Sequence, residues 1–217
     1  EEIRLSVSKP AERIDQQFYM AKDEQKLPIL AHLLTEIENT SMVLFTSRKS
    51  TVEPIVRALC KLGLKARGIS SDSDQNDREV TLRDFKNHTF PVLVATDVLS
   101  RGIDIDNLSH VVNYDVPRDP EDYVHRIGRT ARAASKGTAI TFINEQDQKY
   151  VLKIERLFEK KMEKFSITGS LGLGAAPVFE PQRFKNTGNT SKSEGASKNK
   201  KRKPRPNRSK VEKVETV

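Results

Sequence analysis

Eight consecutive residues, His125-Arg126-Ile127-Gly128-Arg129-Thr130-Ala131-Arg132, gather four ionisable side chains in one short stretch. Arg126, Arg129 and Arg132 recur at every third position, so on a helix they share roughly one face. Three cations on one face repel one another unless an anion lies between them. A guanidinium fork meets phosphate oxygens at two points, which an ammonium does not. Gly128 lets the backbone approach a partner closely. The pattern points to a phosphate-bearing ligand; the plainer alternative is a solvated basic helix face.

A second segment, Ala95-Thr96-Asp97-Val98-Leu99-Ser100-Arg101-Gly102-Ile103-Asp104-Ile105-Asp106, leaves the end of an apolar run. Ligands of open α/β sheets bind where strands end, so this loop is a second candidate. Thr96 offers a hydroxyl and an N–H to a phosphate, Arg101 a charge, Gly102 a tight turn and Asp104 an acceptor suited to a ribose hydroxyl. Alone, an Arg-Gly-x-Asp loop has many structural uses.

The elements that must position these residues are legible as an alternation. Short apolar runs fall at Met42 to Phe45, Leu64 to Ile69, Val92 to Ala95, His110 to Tyr114 and Thr138 to Ile143, as strands buried on both faces of a parallel sheet require. Ile14 to Ala21 is expected as an edge strand. Between them, Leu27, Leu30, Leu33, Leu34 and Ile37 form one helical stripe, and Val52, Ile55, Val56, Leu59 and Cys60 another. The second helix is expected to be capped by Ser47 or Ser50 and stopped by Gly63. A third starts near Ser73 and uses Val80, Leu82 and Phe85. A fourth begins at Asp119-Pro120, and a last runs from about Glu145 to Lys161. The order predicts a layered α/β domain with a parallel sheet of about six strands sandwiched between helices.

Composition bounds the rest. The chain has 217 residues, 35% hydrophobic and 31% charged, and no apolar run approaches the ~20 residues of a membrane span. It starts at Glu1, and a piece of a longer chain is the expectation. The net charge of +8 is uneven, because residues 183–217 hold 12 Lys/Arg against three Glu. The globular part is close to neutral, so polyanion binding there must come from placement of charge. Cys60 is the sole cysteine, expected as a buried small hydrophobe and compatible with a reducing, cytoplasmic compartment. Domains are expected at 1–165, a flexible glycine-containing linker at 166–181 and a disordered basic tail at 182–217. The tail reads as an RNA tether, with a nuclear localisation signal or an inert solvated segment as alternatives. His32 and His88 read as solvated or structural, Phe142 and Phe158 as core. Asp72, Asp74 and Asp77 read as charges near a helix start, with no metal expected.

Five ordered segments together resemble the second RecA-like domain of the DEAD-box RNA helicases of superfamily 2: Val43-Leu44-Phe45-Thr46-Ser47, Gln75-Asn76-Asp77-Arg78, Ala95 to Ile105, Tyr114-Asp115-Val116-Pro117 and His125 to Arg132. The resemblance covers about Ile14 to Phe158. One departure is Ala131, where the family usually has glycine. The resemblance implies that Arg129 and Arg132 are arginine fingers for the γ-phosphate of ATP, and that Asp104 binds the ribose. It implies that His125 and Arg126 tie two domains together, and that Gly68, Gln75, Arg78, Thr96 and Arg101 face the RNA backbone. Contacts to phosphate and 2′-hydroxyl would favour RNA. No Gly-x4-Gly-Lys-Ser/Thr loop and no Asp-Glu-Ala-Asp run occurs in the chain. ATP and Mg²⁺ are therefore expected mainly on an N-terminal RecA-like domain of the same protein, and this half alone is expected to be inactive. Two other readings stand beside it: a stand-alone RNA-binding or partner-docking module, and half of a DNA-directed superfamily 2 helicase.

Overall fold

The structure is a computed structural model describing residues 14–35, 37, 41–96, 105, 107–130 and 137–180. In chain order the elements are β1 (Ile14–Met20), α1 (Asp23–Thr35), β2 (Met42–Thr46), α2 (Lys49–Lys61), β3 (Ala66–Ile69), α3 (Gln75–Lys86), β4 (Val92–Thr96), β5 (His110–Asn113), α4 (Pro120–Ile127), β6 (Gly137–Ile143), α5 (Gln148–Leu157) and β7 (Lys164–Phe165). Every strand pairing is parallel, in the order β3-β4-β2-β5-β6-β1-β7. The described sheet has seven strands, one more than the expected six, because the two-residue β7 is too short to leave a pattern in the sequence. It also moves β1 inward. Ile14 to Met20 pairs with β6 on one side, and Phe18 and Tyr19 pair with β7 on the other, so β1 is not the edge strand expected.

Side chains alternate between the two faces, as strand geometry demands. Met42, Leu44, Val92, Val94, Val112, Ile140 and Phe142 pack under α1 and α2. Their neighbours Val43, Phe45, Leu93, Ala95 and Val111 pack against Phe85 of α3. Phe18, Met20, Ala139 and Ile143 lie against Tyr123 and Ile127 of α4 and Val151 and Ile154 of α5. Both faces are covered, and for that reason β2 and β4 read as unbroken apolar runs.

Local chemistry sets the helix ends. Asp74 caps α3 by accepting from the Asp77 N–H, and Asp119 caps α4 by accepting from Glu121, with Pro120 at the first helical position. α2 ends as expected at Gly63, whose φ of +83° suits glycine. There Gly63 N–H bonds Cys60 C=O and Leu64 N–H bonds Leu59 C=O, satisfying two terminal carbonyls. Its start differs from the expectation: Arg48 holds the cap position, with no side-chain bond. Cys60 also differs, being exposed, with its thiol 3.7 Å from the Ala66 carbonyl. It lies one residue, about 100°, past buried Leu59 and so leaves the apolar stripe.

The expected linker is instead a packed strap over residues 166–180. Ile167, Leu171 and Leu173 pack against the α1–α2 side, while Ala176 and Phe179 pack against the α4–α5 side. Glycine and serine suggested flexibility; the interspersed Leu171, Leu173 and Phe179 decided otherwise. The expected tail, residues 182–217, lies outside the described residues, as do Arg101, Gly102, Asp104, Ala131 and Arg132. No helix among the described residues is long and apolar enough to cross a membrane.

Candidate functional site

The site is assembled where β2, β4 and β5 end. Asp115, two residues beyond β5, is its hub. Its Oδ1 lies 3.0 Å from Lys26 Nζ, and its Oδ2 accepts from Thr46 Oγ1 at 3.0 Å and Ser47 N–H at 2.8 Å. Lys26 of α1 is fully buried, held also by Asp23 at 2.9 Å and lying over the Tyr114 ring. Burial and the neighbouring Asp115 charge push the Tyr114 hydroxyl up to about 12. One carboxylate thus joins the ends of β2 and β5 to the first turn of α1.

Asp115 also reaches α4 through its backbone. Arg126 Nη1 donates to Asn113 Oδ1 at 2.9 Å and to the Asp115 carbonyl at 3.3 Å, while its guanidinium stacks on Phe45. Arg126 is 0% exposed, and burial pulls its pKa down to about 9. The expected single arginine face is therefore not formed. α4 stops at Ile127, so Arg126 points into the domain while Arg129 sits half-buried in the following turn. Nor does Arg126 present its side chain to a second domain; its bonds bolt α4 to β2 and β5. His125, on the neighbouring helical position, is exposed.

The turn carrying Arg129 is fixed on both sides. The Arg129 carbonyl accepts from Leu108 N–H at 3.1 Å, and Arg129 N–H donates to the Arg126 carbonyl at 3.1 Å. Next to it, Thr130 is buried, bonds Ile127 C=O at 2.8 Å and packs against Gly137. A Cβ added at Gly137 would lie 2.3 Å from Thr130 Cβ. Only glycine allows this approach, and it locks the turn to the start of β6.

Thr46 and Thr96 are paired neighbours at the ends of β2 and β4, yet they differ. Thr46 spends its hydroxyl on Asp115. Thr96 is only 5% exposed, and its Oγ1 has no hydrogen-bond partner among the described residues. Arg78 Nε, on the first turn of α3, is likewise buried without a partner. Such groups cost free energy unless water, another residue or a ligand satisfies them. Gln75, also on that turn, is exposed and bonds Glu79 at 2.6 Å. Gly68, at β3, is constrained by packing. A Cβ there would meet Val52 Cγ1 at 2.5 Å, so its bare Cα makes room for α2.

A second carboxyl group borders the hub. Asp147 precedes α5, and its N–H donates to Asn144 Oδ1 at 2.8 Å, while Asn144 holds Asp23 at 2.9 Å. Burial raises the Asp147 pKa to about 6, offset in part by Lys26. Its Oδ2 has no hydrogen-bond partner among the described residues. Sequence reasoning missed Lys26, Asn113, Asp115 and Asp147 as a network. The one available signal was Asp23 and Lys26 at i, i+3 on a face otherwise read as apolar. Among the described residues, no group of three or more His, Cys, Asp or Glu is arranged to hold a metal ion.

A parallel sheet covered by helices on both faces, with its polar site at the strand ends, defines a RecA-like α/β domain. Residues 25–134 match the helicase conserved C-terminal domain. The DEAD-box ATP-dependent RNA helicase CshA of Streptococcus pneumoniae is 41% identical over 152 residues, covering 70% of this chain and 29% of that protein. CshA of Bacillus subtilis is 43% identical over 150 residues, covering 69% and 30%. Among solved structures, a DEAD box protein of Methanococcus jannaschii superposes with a TM-score of 0.67 at 37% identity, covering 72% of this chain and 43% of that one. Escherichia coli SrmB, bound to regulator of ribonuclease activity A, gives 0.67 at 34% identity, covering 76% and 96%. The chain belongs to the DEAD-box helicase family and is its C-terminal helicase domain. It spans less than a third of the curated relatives' length.

Proposed function

We propose that this chain is the C-terminal half of an ATP-dependent RNA helicase that closes on an N-terminal RecA-like domain around ATP and single-stranded RNA. Arg129 and Arg132 act as arginine fingers, neutralising charge that develops on the γ-phosphate. Asp104 holds the ribose and His125 meets the opposite domain. Gln75, Arg78, Thr96 and Arg101 grip the RNA backbone, bending one strand so that short duplexes melt locally. ATP, with Mg²⁺ held mainly by the N-terminal domain, supplies the bond whose hydrolysis reopens the pair and releases RNA.

The observation that carries the reading is the treatment of two neighbouring arginines. Arg126 is buried and bonded within the domain, while the Arg129 backbone is held by hydrogen bonds on both sides in the turn after α4, with the residue half-buried. Preorganisation of that kind is what stabilising a developing charge requires, because no reorganisation is then needed during reaction. The Thr96 hydroxyl and Arg78 Nε, without hydrogen-bond partners among the described residues, support the RNA side. The Gly68 contribution is limited to its backbone. The test is Arg129→Ala in the full-length protein. RNA-stimulated ATP hydrolysis is expected to fall by roughly 10³-fold or more, with ATP affinity nearly unchanged. Unaltered turnover would remove the arginine-finger role.

A further inference from the structure

We propose that the outer face of α5 is a docking surface for an acidic, amphipathic segment of a protein partner, gripped by Lys149, Lys153 and Arg156 between Leu152 and Leu157.

α5 has two unlike sides. At 100° per residue, Lys149, Lys153 and Arg156 fall within an arc of about 60°. Val151 and Ile154, on the opposite side, are buried against the sheet. Leu152 and Leu157 flank the cations, one on each side. Both are half-buried, and neither joins an apolar cluster of the core. The core seats α5 through Val151 and Ile154 and makes no use of the two leucines.

The strap covers a different flank of the helix. Gln148, the first residue of α5, is 3% exposed; it donates to Val178 C=O at 2.6 Å and accepts from Glu180 N–H at 2.7 Å. Gln25 of α1 receives the preceding stretch in the same manner, donating to Leu173 C=O at 2.9 Å and Ala175 C=O at 3.2 Å. Gln148 lies about 100° around the helix from Lys149. The basic face is left open among the described residues, with Arg156 exposed and Lys149 and Lys153 half-buried.

The charges on that face are kept whole. Glu155, the one acid within α5, is engaged elsewhere, bonded to Lys164 and accepting from Met162 N–H at 2.9 Å. No carboxylate among the described residues pairs with Lys149, Lys153 or Arg156. Instead the Lys149 and Lys153 ammoniums lie 5.0 and 5.6 Å from the centre of one ring, that of Tyr150. An aromatic ring attracts a cation through its quadrupole and so orders it. Unlike a carboxylate, the ring does not cancel the charge. Phosphate oxygens would use these cations and nothing else on the face. An acidic segment carrying apolar side chains uses both parts: opposite charges guide the encounter, and the leucines leave water on contact. That combination selects protein over RNA as the occupant.

The test titrates the 217-residue chain against labelled probes by fluorescence anisotropy. One probe is a peptide about 18 residues long with leucines at every third or fourth position among glutamates. The others are the same peptide with serine for leucine, and an oligouridylate RNA. Two variants are compared with the parent: Lys149→Glu with Lys153→Glu, and Leu152→Ser with Leu157→Ser. Melting followed by circular dichroism checks that each is folded; if either pair unfolds the chain, Lys149→Gln and Leu157→Ser singly make the same comparison. The cations of residues 183–217 are common to parent and variants, so differences report α5. Charge reversal is expected to weaken leucine-peptide binding by about tenfold or more, because like charges then face each other. The serine variant is expected to bind that peptide several-fold more weakly with an unchanged salt dependence. RNA affinity is expected to hold in both. An equal loss of RNA affinity on charge reversal would make the face a nucleic-acid surface and sink the proposal. So would equal binding of the two peptides by the parent, or no binding of either, or leucine-peptide binding that either variant leaves unchanged.

Discussion

At the residue scale, the domain places ionisable groups where water reaches them poorly and then settles each differently. Lys26 and Arg126 are buried with bonded partners. Asp147 is not fully compensated, and its folded pKa of about 6 lies above its ordinary 3.8. The folded state therefore holds this proton more tightly than the unfolded chain does. Its contribution is full below about pH 4 and is lost as pH rises through about 6. Asp147→Asn, which cannot ionise, is expected to be more stable than the parent at pH 7.5, by up to about 3 kcal/mol. The advantage should vanish near pH 4, and paired urea titrations at both pH values measure it. A constant difference across that range would assign the effect to packing instead of protonation.

At the element scale, Gly68 offers the sharpest choice between packing and ligand contact. Gly68→Ala pushes a methyl group into Val52, and overpacking of this kind costs about 1–3 kcal/mol. Adding Val52→Ala should recover part of that loss, a coupling read from a double-mutant cycle by chemical denaturation. Additive effects would mean that α2 is not what the glycine accommodates. The case also marks where sequence reasoning succeeds. β2, β4, β5 and β6 were legible because burial on two faces leaves an unbroken apolar run, and α4 because Asp119-Pro120 encodes its own cap. Thr96 and Arg129 were legible as candidate ligand groups because their motifs are local. The inward turn of Arg126 was not, since it depends on α4 ending at Ile127 and on Asn113 and Phe45 from other strands. β7 was hidden by being two residues long, and the strap by a composition that imitates a linker.

At the scale of the whole molecule, the described residues divide the carboxyl end of the sheet into two parts. The strap lies along one; the other carries Asp115, Thr96 and the turn with Arg129. If the strap is part of the folded unit, a chain ending at Phe165 should melt several degrees below one ending at Gln182. Losing the Leu171, Leu173 and Phe179 contacts removes at least about 2 kcal/mol of apolar burial. Equal melting temperatures by circular dichroism would return residues 166–180 to linker status. The grip of Gln25 and Gln148 on main-chain atoms has a separate consequence for how this region varies between relatives. Carbonyl and N–H groups are common to every residue but proline's missing donor, so the clamps recognise a path and are nearly blind to spelling. A strap could drift in sequence until alignment lost sight of it and still be received by the same two amides.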